Sequence, residues 1–139
     1  MSSHLFLLDT TVWVYLNRRD PPERLASRAK QLIAANLAAF NQVIRAEILV
    51  GCRDDQEYWT NDSQISALRE LPLHRPIWDA AAGLGFALRR KGVTARLPDL
   101  LIAASALQHD AIVVHADLDF DKIAKHSDLR VESYAESSV

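Results

Sequence analysis

The stretch Leu5-Phe6-Leu7-Leu8-Asp9-Thr10-Thr11-Val12-Trp13 decides the fold. Its four leading apolar residues form an unbroken run, which reads as a strand buried on both faces. Asp9 ends the run, and Val12 to Leu16 begins a short apolar helix that stops near Asn17. A strand leading straight into a helix is the unit of a parallel α/β sheet, in which ligands bind beyond the carboxyl ends of the strands. Asp9 stands at such an end.

Outward from this unit the alternation continues. Arg18-Arg19-Asp20-Pro21-Pro22 makes a charged loop whose Asp20 is placed to cap the next helix. That helix carries Leu25, Ala29, Leu32 and Ile33 on one stripe, with Arg24, Arg28 and Lys30 off it. Leu37-Ala38-Ala39-Phe40 reads as a short strand feeding an apolar helix from Val43 to Val50. The polar stretch Thr60-Asn61-Asp62-Ser63 is expected to break or bend the helical region that follows, before Leu71-Pro72-Leu73. Pro76 opens another helix, with Ile77, Ala81, Leu84 and Leu88 in register and Gly92 as its stop. Leu100 to Leu107 is apolar enough to require burial, and Ile112-Val113-Val114 reads as a further buried strand. The tail from Glu132 to Val139 is expected to fray. These elements predict a three-layer α/β/α fold with a mainly parallel sheet. No repeat, low-complexity segment or interdomain linker interrupts residues 1–139, which read as one domain.

Four acids stand where strands and buried helices should carry no charge: Asp9, Glu47, Asp99 and Asp117. Glu47 shares a helical face with Ile44, Ile48 and Gly51. Asp99 follows Pro98 at the start of the apolar helix, and Asp117 lies at the mouth of the Ile112–Val114 strand. Each acid also has a plainer reading. Asp9 can be a helix N-cap, Asp99 a complement to a helix dipole, and Glu47 the partner of Arg45 or Arg53. Asp117, Asp119 and Asp121 can form a solvated turn. Taken jointly, the four are harder to explain that way. Carboxylates crowded into a low-dielectric crevice raise one another's pKa, and a divalent cation resolves the conflict. No Cys or His pair has zinc-ligand spacing, and an all-oxygen set favours a hard ion, Mg²⁺ or Mn²⁺.

The start Phe6-Leu7-Leu8-Asp9-Thr10-Thr11-Val12-Trp13, the Arg45-Ala46-Glu47-Ile48 helix, the run Pro98-Asp99-Leu100-Leu101-Ile102-Ala103-Ala104-Ser105-Ala106, and Ala116-Asp117-Leu118-Asp119-Phe120 together resemble the PIN-domain ribonucleases. Within them the chain looks most like a VapC-type toxin. The resemblance runs from about Leu5 to about Val131 and rests on an ordered set of motifs, not on any one of them. It implies a central four- or five-stranded sheet, with Asp9, Glu47 and Asp99 as core metal-binding acids and Asp117 as a more variable fourth. Asp119 then sits beside the site. The family usually has Thr or Ser where this chain has His115, which either contacts substrate phosphate or fills the strand end. Thr11 matches a position where a small hydroxyl residue is common, and is expected to hold a water of the metal. The function implied is a metal-dependent endoribonuclease, the toxin of a toxin–antitoxin pair, partnered by an antitoxin and by a second copy of itself.

Composition sets the bounds. At 139 residues and 49% hydrophobic content, the chain can bury a sizeable core. Cys52 is the single cysteine, so no intramolecular disulfide forms and a reducing cytoplasm is the expected compartment. The apolar stretch before Asp9 is too short for a signal-peptide core, and no run approaches membrane-spanning length. The net charge is −2, and setting aside the four acids leaves +2 for the remainder. Arg89-Arg90-Lys91 and Arg96, just before Asp99, are candidate RNA phosphate contacts or a solvated helix end.

Two rival chemistries compete. Asp117-Leu118-Asp119-Phe120-Asp121 begins like an EF-hand loop, but Lys122 replaces the glycine and Asp128 the terminal Glu. A haloacid-dehalogenase-like phosphotransferase would use Asp9 as nucleophile, although Thr11 stands where that class has a second Asp. A non-catalytic RNA-binding domain would keep the acids for structure alone. Trp13, Tyr15 and Leu16 either pack in the core or line an apolar groove for a partner.

Overall fold

The computed structural model describes residues 4–136. Five strands, β1 (Phe6–Leu8), β2 (Ala38–Phe40), β3 (Arg69–Glu70), β4 (Ile112–His115) and β5 (Arg130–Ser133), make one sheet in the order β3-β2-β1-β4-β5. All four pairings are parallel. Flanking the sheet are α1 (Thr10–Leu16), α2 (Glu23–Ala34), α3 (Gln42–Val50), α4 (Asp55–Ser66), α5 (Arg75–Arg90), α6 (Leu97–Gln108) and α7 (Leu118–Lys125). The sheet is thus the five-stranded alternative, and wholly parallel.

β1 lies at the centre because it is apolar on both faces, with Leu7 and Leu8 fully buried. It pairs Phe6 with Ala38 on one side and with Ile112 on the other. From β1 the chain builds outward to β2 and β3, then returns to add β4 and β5 on the opposite edge. The order reverses between β1 and β4, and there the Asp9 N–H donates to the Val114 carbonyl at 3.0 Å. The fold itself therefore opens a ligand-binding crevice at the end of β1.

α6 is the buried helix of the core, with Leu100 through Ala106 all buried. Gly85 lets α5 lie against it, since a Cβ there would meet Leu100 Cδ1 at 2.6 Å. Gly92, at φ +81°, takes the chain out of α5 in the left-handed region as expected. Buried Asn41 caps α3 by accepting from Ile44 N–H, and its amide donates to Ser105 Oγ on α6 at 3.1 Å. That bond ties the helix carrying Glu47 to the helix carrying Asp99.

Three expectations are corrected. α2 begins at Glu23 after Pro22, without a side-chain cap, so Asp20 does not cap it. α4 runs unbroken through Thr60–Ser63, because Asp54 caps its start and the Asn61 amide donates back to the Glu57 carbonyl inside the helix. Glu132 and Ser133 do not fray but end β5, and the Tyr134 N–H donates to the His115 carbonyl; residues 137–139 of the expected tail lie outside the described residues. Trp13 is core, 3% exposed, while Tyr15 and Leu16 are half-buried against it. Among the described residues, no helix is long and apolar enough to cross a membrane.

Candidate metal centre

Asp9 caps α1, as its plainer reading required, and is also 2% exposed. Its Oδ2 accepts from Thr11 N–H at 3.1 Å and from Thr11 Oγ1 at 2.6 Å. The same hydroxyl accepts from Ala116 N–H at 2.9 Å. Thr11 therefore pins Asp9 to the β4–α7 turn, and its hydroxyl proton is committed to Asp9. Burial pushes the Asp9 carboxyl up to about 6; the Thr11 bonds oppose this and the charge of Asp99 adds to it.

Asp99 sits in the first turn of α6 and is 4% exposed. Burial raises its carboxyl, Arg96 opposes that rise, and Asp117 and Glu47 add to it. Arg96 reaches it only at 3.5 Å, and Asp99 Oδ2 is buried with no hydrogen-bond donor. A buried carboxylate oxygen without a hydrogen-bond donor, among other acids, could take a cation.

Asp117 caps α7 by accepting from Asp119 N–H. Carboxylate oxygens of Asp99, Asp117 and Asp119 all lie within 4.8 Å of one another. Asp119 is therefore inside the cluster, where the sequence reading put it alongside. Asp9 and Glu47 are outside this tight grouping; the charge of Glu47 raises Asp99, and that of Asp99 raises Asp9. Glu47, half-buried on α3, accepts from Thr10 Oγ1 at 2.7 Å. The ion pairs considered for it are not made: Arg45 pairs with Asp62 and Arg53 with Glu57. Sequence reading passed over Thr10; its only signal was a hydroxyl beside the first acid. The plainer reading of Asp117–Asp121 as a solvated turn gives way to the start of a helix, which also excludes a calcium loop there.

His115 is fully buried and its Nδ1 accepts from Asp117 N–H at 3.1 Å. Nε2 then carries the proton of the neutral ring and lies 3.4 Å from Asp121 Oδ1. Burial lowers its pKa, against the pull of Asp121. Of its two expected roles, the structure displays the filled strand end, with the ring also orienting Asp117. Among the basic candidates only Arg96 touches a site acid. Lys91 donates to the His126 carbonyl at the end of α7, and Arg89 and Arg90 are exposed at the end of α5.

Residues 6–126 match the PIN domain family. This chain belongs to the PIN-domain family. Within it the chain is of the VapC ribonuclease type: it is 37% identical over 115 residues to Ribonuclease VapC11 of Mycobacterium tuberculosis (strain ATCC 25618 / H37Rv), covering 80% of this chain and 85% of the relative. VapBC2 from Rickettsia felis, solved bound to a promoter DNA fragment, matches its fold with TM-score 0.77 at 21% identity, over 94% of this chain and 98% of that one. FitAcB from Neisseria gonorrhoeae does so with TM-score 0.74 at 23% identity, over 91% and 96%. In this PIN domain the acids come from four separate places: the ends of β1 and β4, the middle of α3 and the start of α6. Only the folded sheet gathers them.

Proposed function

We propose that this PIN domain is a metal-dependent endoribonuclease, the toxin of a toxin–antitoxin pair, with Asp9, Glu47, Asp99 and Asp117 as its catalytic acids and Asp119 beside them. The observation that carries this is the buried, donorless Oδ2 of Asp99 within 4.8 Å-spaced carboxylates. Asp9, Glu47, Asp99 and Asp117 would hold the ion, with Asp119, within 4.8 Å of Asp99 and Asp117, as a further candidate ligand. The hard, all-oxygen donor set fits Mg²⁺ or Mn²⁺. When bound, such an ion polarises a phosphodiester and lowers the pKa of water.

The chain's own residues do the positioning. Thr11 fixes Asp9, Thr10 fixes Glu47, and the Asn41–Ser105 bond sets the distance between α3 and α6. Arg96, 67% exposed at its side chain, holds a guanidinium at the mouth where a phosphate would arrive. Asp9 is a poor nucleophile in this setting, since it is 2% exposed and bonded twice by Thr11.

Two partners are part of the proposal. A groove of about 670 Å³ between α1, α2 and α4 is lined by Trp13, Leu16, Ala29, Ile33 and Leu68. It is apolar, and the Trp13 indole N–H finds no acceptor within the described residues. An amphipathic antitoxin segment, folding as it binds, suits it; Tyr15, grouped with Trp13 by sequence, lines a different cleft. Trp78, Ala82 and Phe86 form an exposed stripe on α5 that a second copy of the chain would cover.

The test is cleavage of mixed RNA by the purified protein with Mg²⁺, with Mn²⁺ and with chelator. Metal-dependent fragments without phosphate on Asp9 support the reading, whereas an acyl-phosphate on Asp9 in mass spectrometry would favour a phosphotransferase. Co-expression with the product of an adjacent small reading frame should restore growth and yield a complex. Sedimentation of the purified protein should give twice the chain mass.

A further inference from the structure

A cleft of about 1040 Å³ opens from the Asp117 edge of the acidic cluster, with Thr11 and Ala116 beside Asp117 in its wall. Two arginines stand in it, each stacked on a tyrosine that also lines it. Arg18 lies over the Tyr15 ring at 4.0 Å and Arg24 over Tyr134 at 5.5 Å. Neither guanidinium is in an ion pair among the described residues. A guanidinium over a ring and outside any ion pair keeps N–H donors available, and those donors can take a phosphate by two bonds.

Tyr134 is itself held in place. Its hydroxyl donates to Glu132 Oε2 at 2.8 Å, and that carboxylate is gripped by Arg28 through bonds of 2.9 and 3.0 Å. Glu23 and Glu136 also line the cleft, and with Asp117 they outnumber the two arginines. A diffuse positive field therefore does not explain anion capture here; directed guanidinium contacts do. The volume stands at the top of the range of small-ligand pockets, about 300 to 1,000 Å³.

We propose that this cleft is the track for single-stranded RNA leading to the acids, with Arg18 and Arg24 binding successive backbone phosphates and Tyr15 and Tyr134 holding the guanidiniums in position. The proposal rests on the ribonuclease reading and adds the path of the substrate to it. Aromatic rings beside cations along a groove are the usual means of holding a single strand.

The test measures binding and cleavage of a mixed-sequence single-stranded RNA of about 16 nucleotides with Mg²⁺, across a salt series, by the full chain. Arg18→Gln and Arg24→Gln should each weaken binding about tenfold and flatten the salt dependence by about one counterion. Arg18→Lys should restore the salt dependence more than the affinity, because a point charge replaces the fork. Tyr134→Leu should weaken binding about threefold by unbacking Arg24. Arg53→Gln, on an exposed arginine paired with Glu57, is the control and should match wild type. Wild-type affinity and salt dependence in both arginine variants, while wild type still cleaves, would overturn the track and leave the ribonuclease standing. Wild-type protein that neither binds nor cleaves RNA overturns both. Melting temperatures lowered along with binding would assign the arginines to structure and overturn the track as well.

Discussion

Glu132 on β5 and Asp99 at the start of α6 are both shielded carboxylates facing one arginine, and they end in opposite states. Glu132 accepts two bonds from Arg28 and a third from Tyr134. Partial burial pushes its carboxyl up, but those bonds and the Arg28 charge outweigh it and hold it below its ordinary value. Asp99 meets Arg96 only at 3.5 Å, leaves Oδ2 without a donor, and is raised by burial and by neighbouring acids. The fold completes one carboxylate and leaves the other incomplete. The completed one holds α2 to the sheet edge, whereas the incomplete one keeps bonding capacity that the fold does not use.

Four changes would break or sharpen that contrast. Asp99→Asn should reduce metal-dependent RNA cleavage about 10²–10³-fold while keeping the fold, read by initial rates and circular dichroism; full activity would remove Asp99 from the site. Asp9→Asn tests the burial side. Asp9 rises from 3.8 to about 6, so the folded protein binds more protons than the unfolded chain across that window. Its contribution to stability is therefore lost as pH rises from about 4 to 6, about 3 kcal/mol in metal-free protein. The variant should exceed wild type by up to that amount at pH 7 and by almost nothing near pH 4, measured by denaturant unfolding with chelator. A gain independent of pH would show that ionisation is not the cause. Glu132→Gln should do the reverse, costing about 1–2 kcal/mol with Mg²⁺ affinity unchanged by calorimetry. Thr10→Val should cost about tenfold in kcat/KM, as expected for a residue that only orients a ligating acid.

Much of this was legible in the chain because burial on both faces leaves a plain sequence mark. Leu5–Leu8 and Ile112–Val114 read as strands, and an acid at the end of each read as a site. β3 left no such mark, since Arg69 and Glu70 are two exposed residues whose pairing to β2 is made by backbone alone. Thr60–Ser63 misled because polar residues resemble a loop, yet Asn61 and Asp62 spend their side chains on helix and ion-pair bonds. Asp119 and Thr10 entered the site through geometry that spacing does not encode, a helix turn in one case and a contact with α3 in the other. The Asn41–Ser105 bond was hidden for the same reason, joining residues 64 apart.

The central place of β1 also governs when this VapC-type ribonuclease can first become armed. β1 pairs on one side with β2 but on the other with Ile112–Val114, so its second edge stays open until the chain has reached β4. Asp9 and Glu47 emerge early, whereas Asp117 and Asp119 follow β4 and emerge late. A nascent chain stopped before Ile112 holds Asp9, Glu47 and Asp99 but neither Asp117 nor Asp119, and none of the crevice between β1 and β4. The topology thus makes assembly of the acidic cluster wait for β4 and the start of α7.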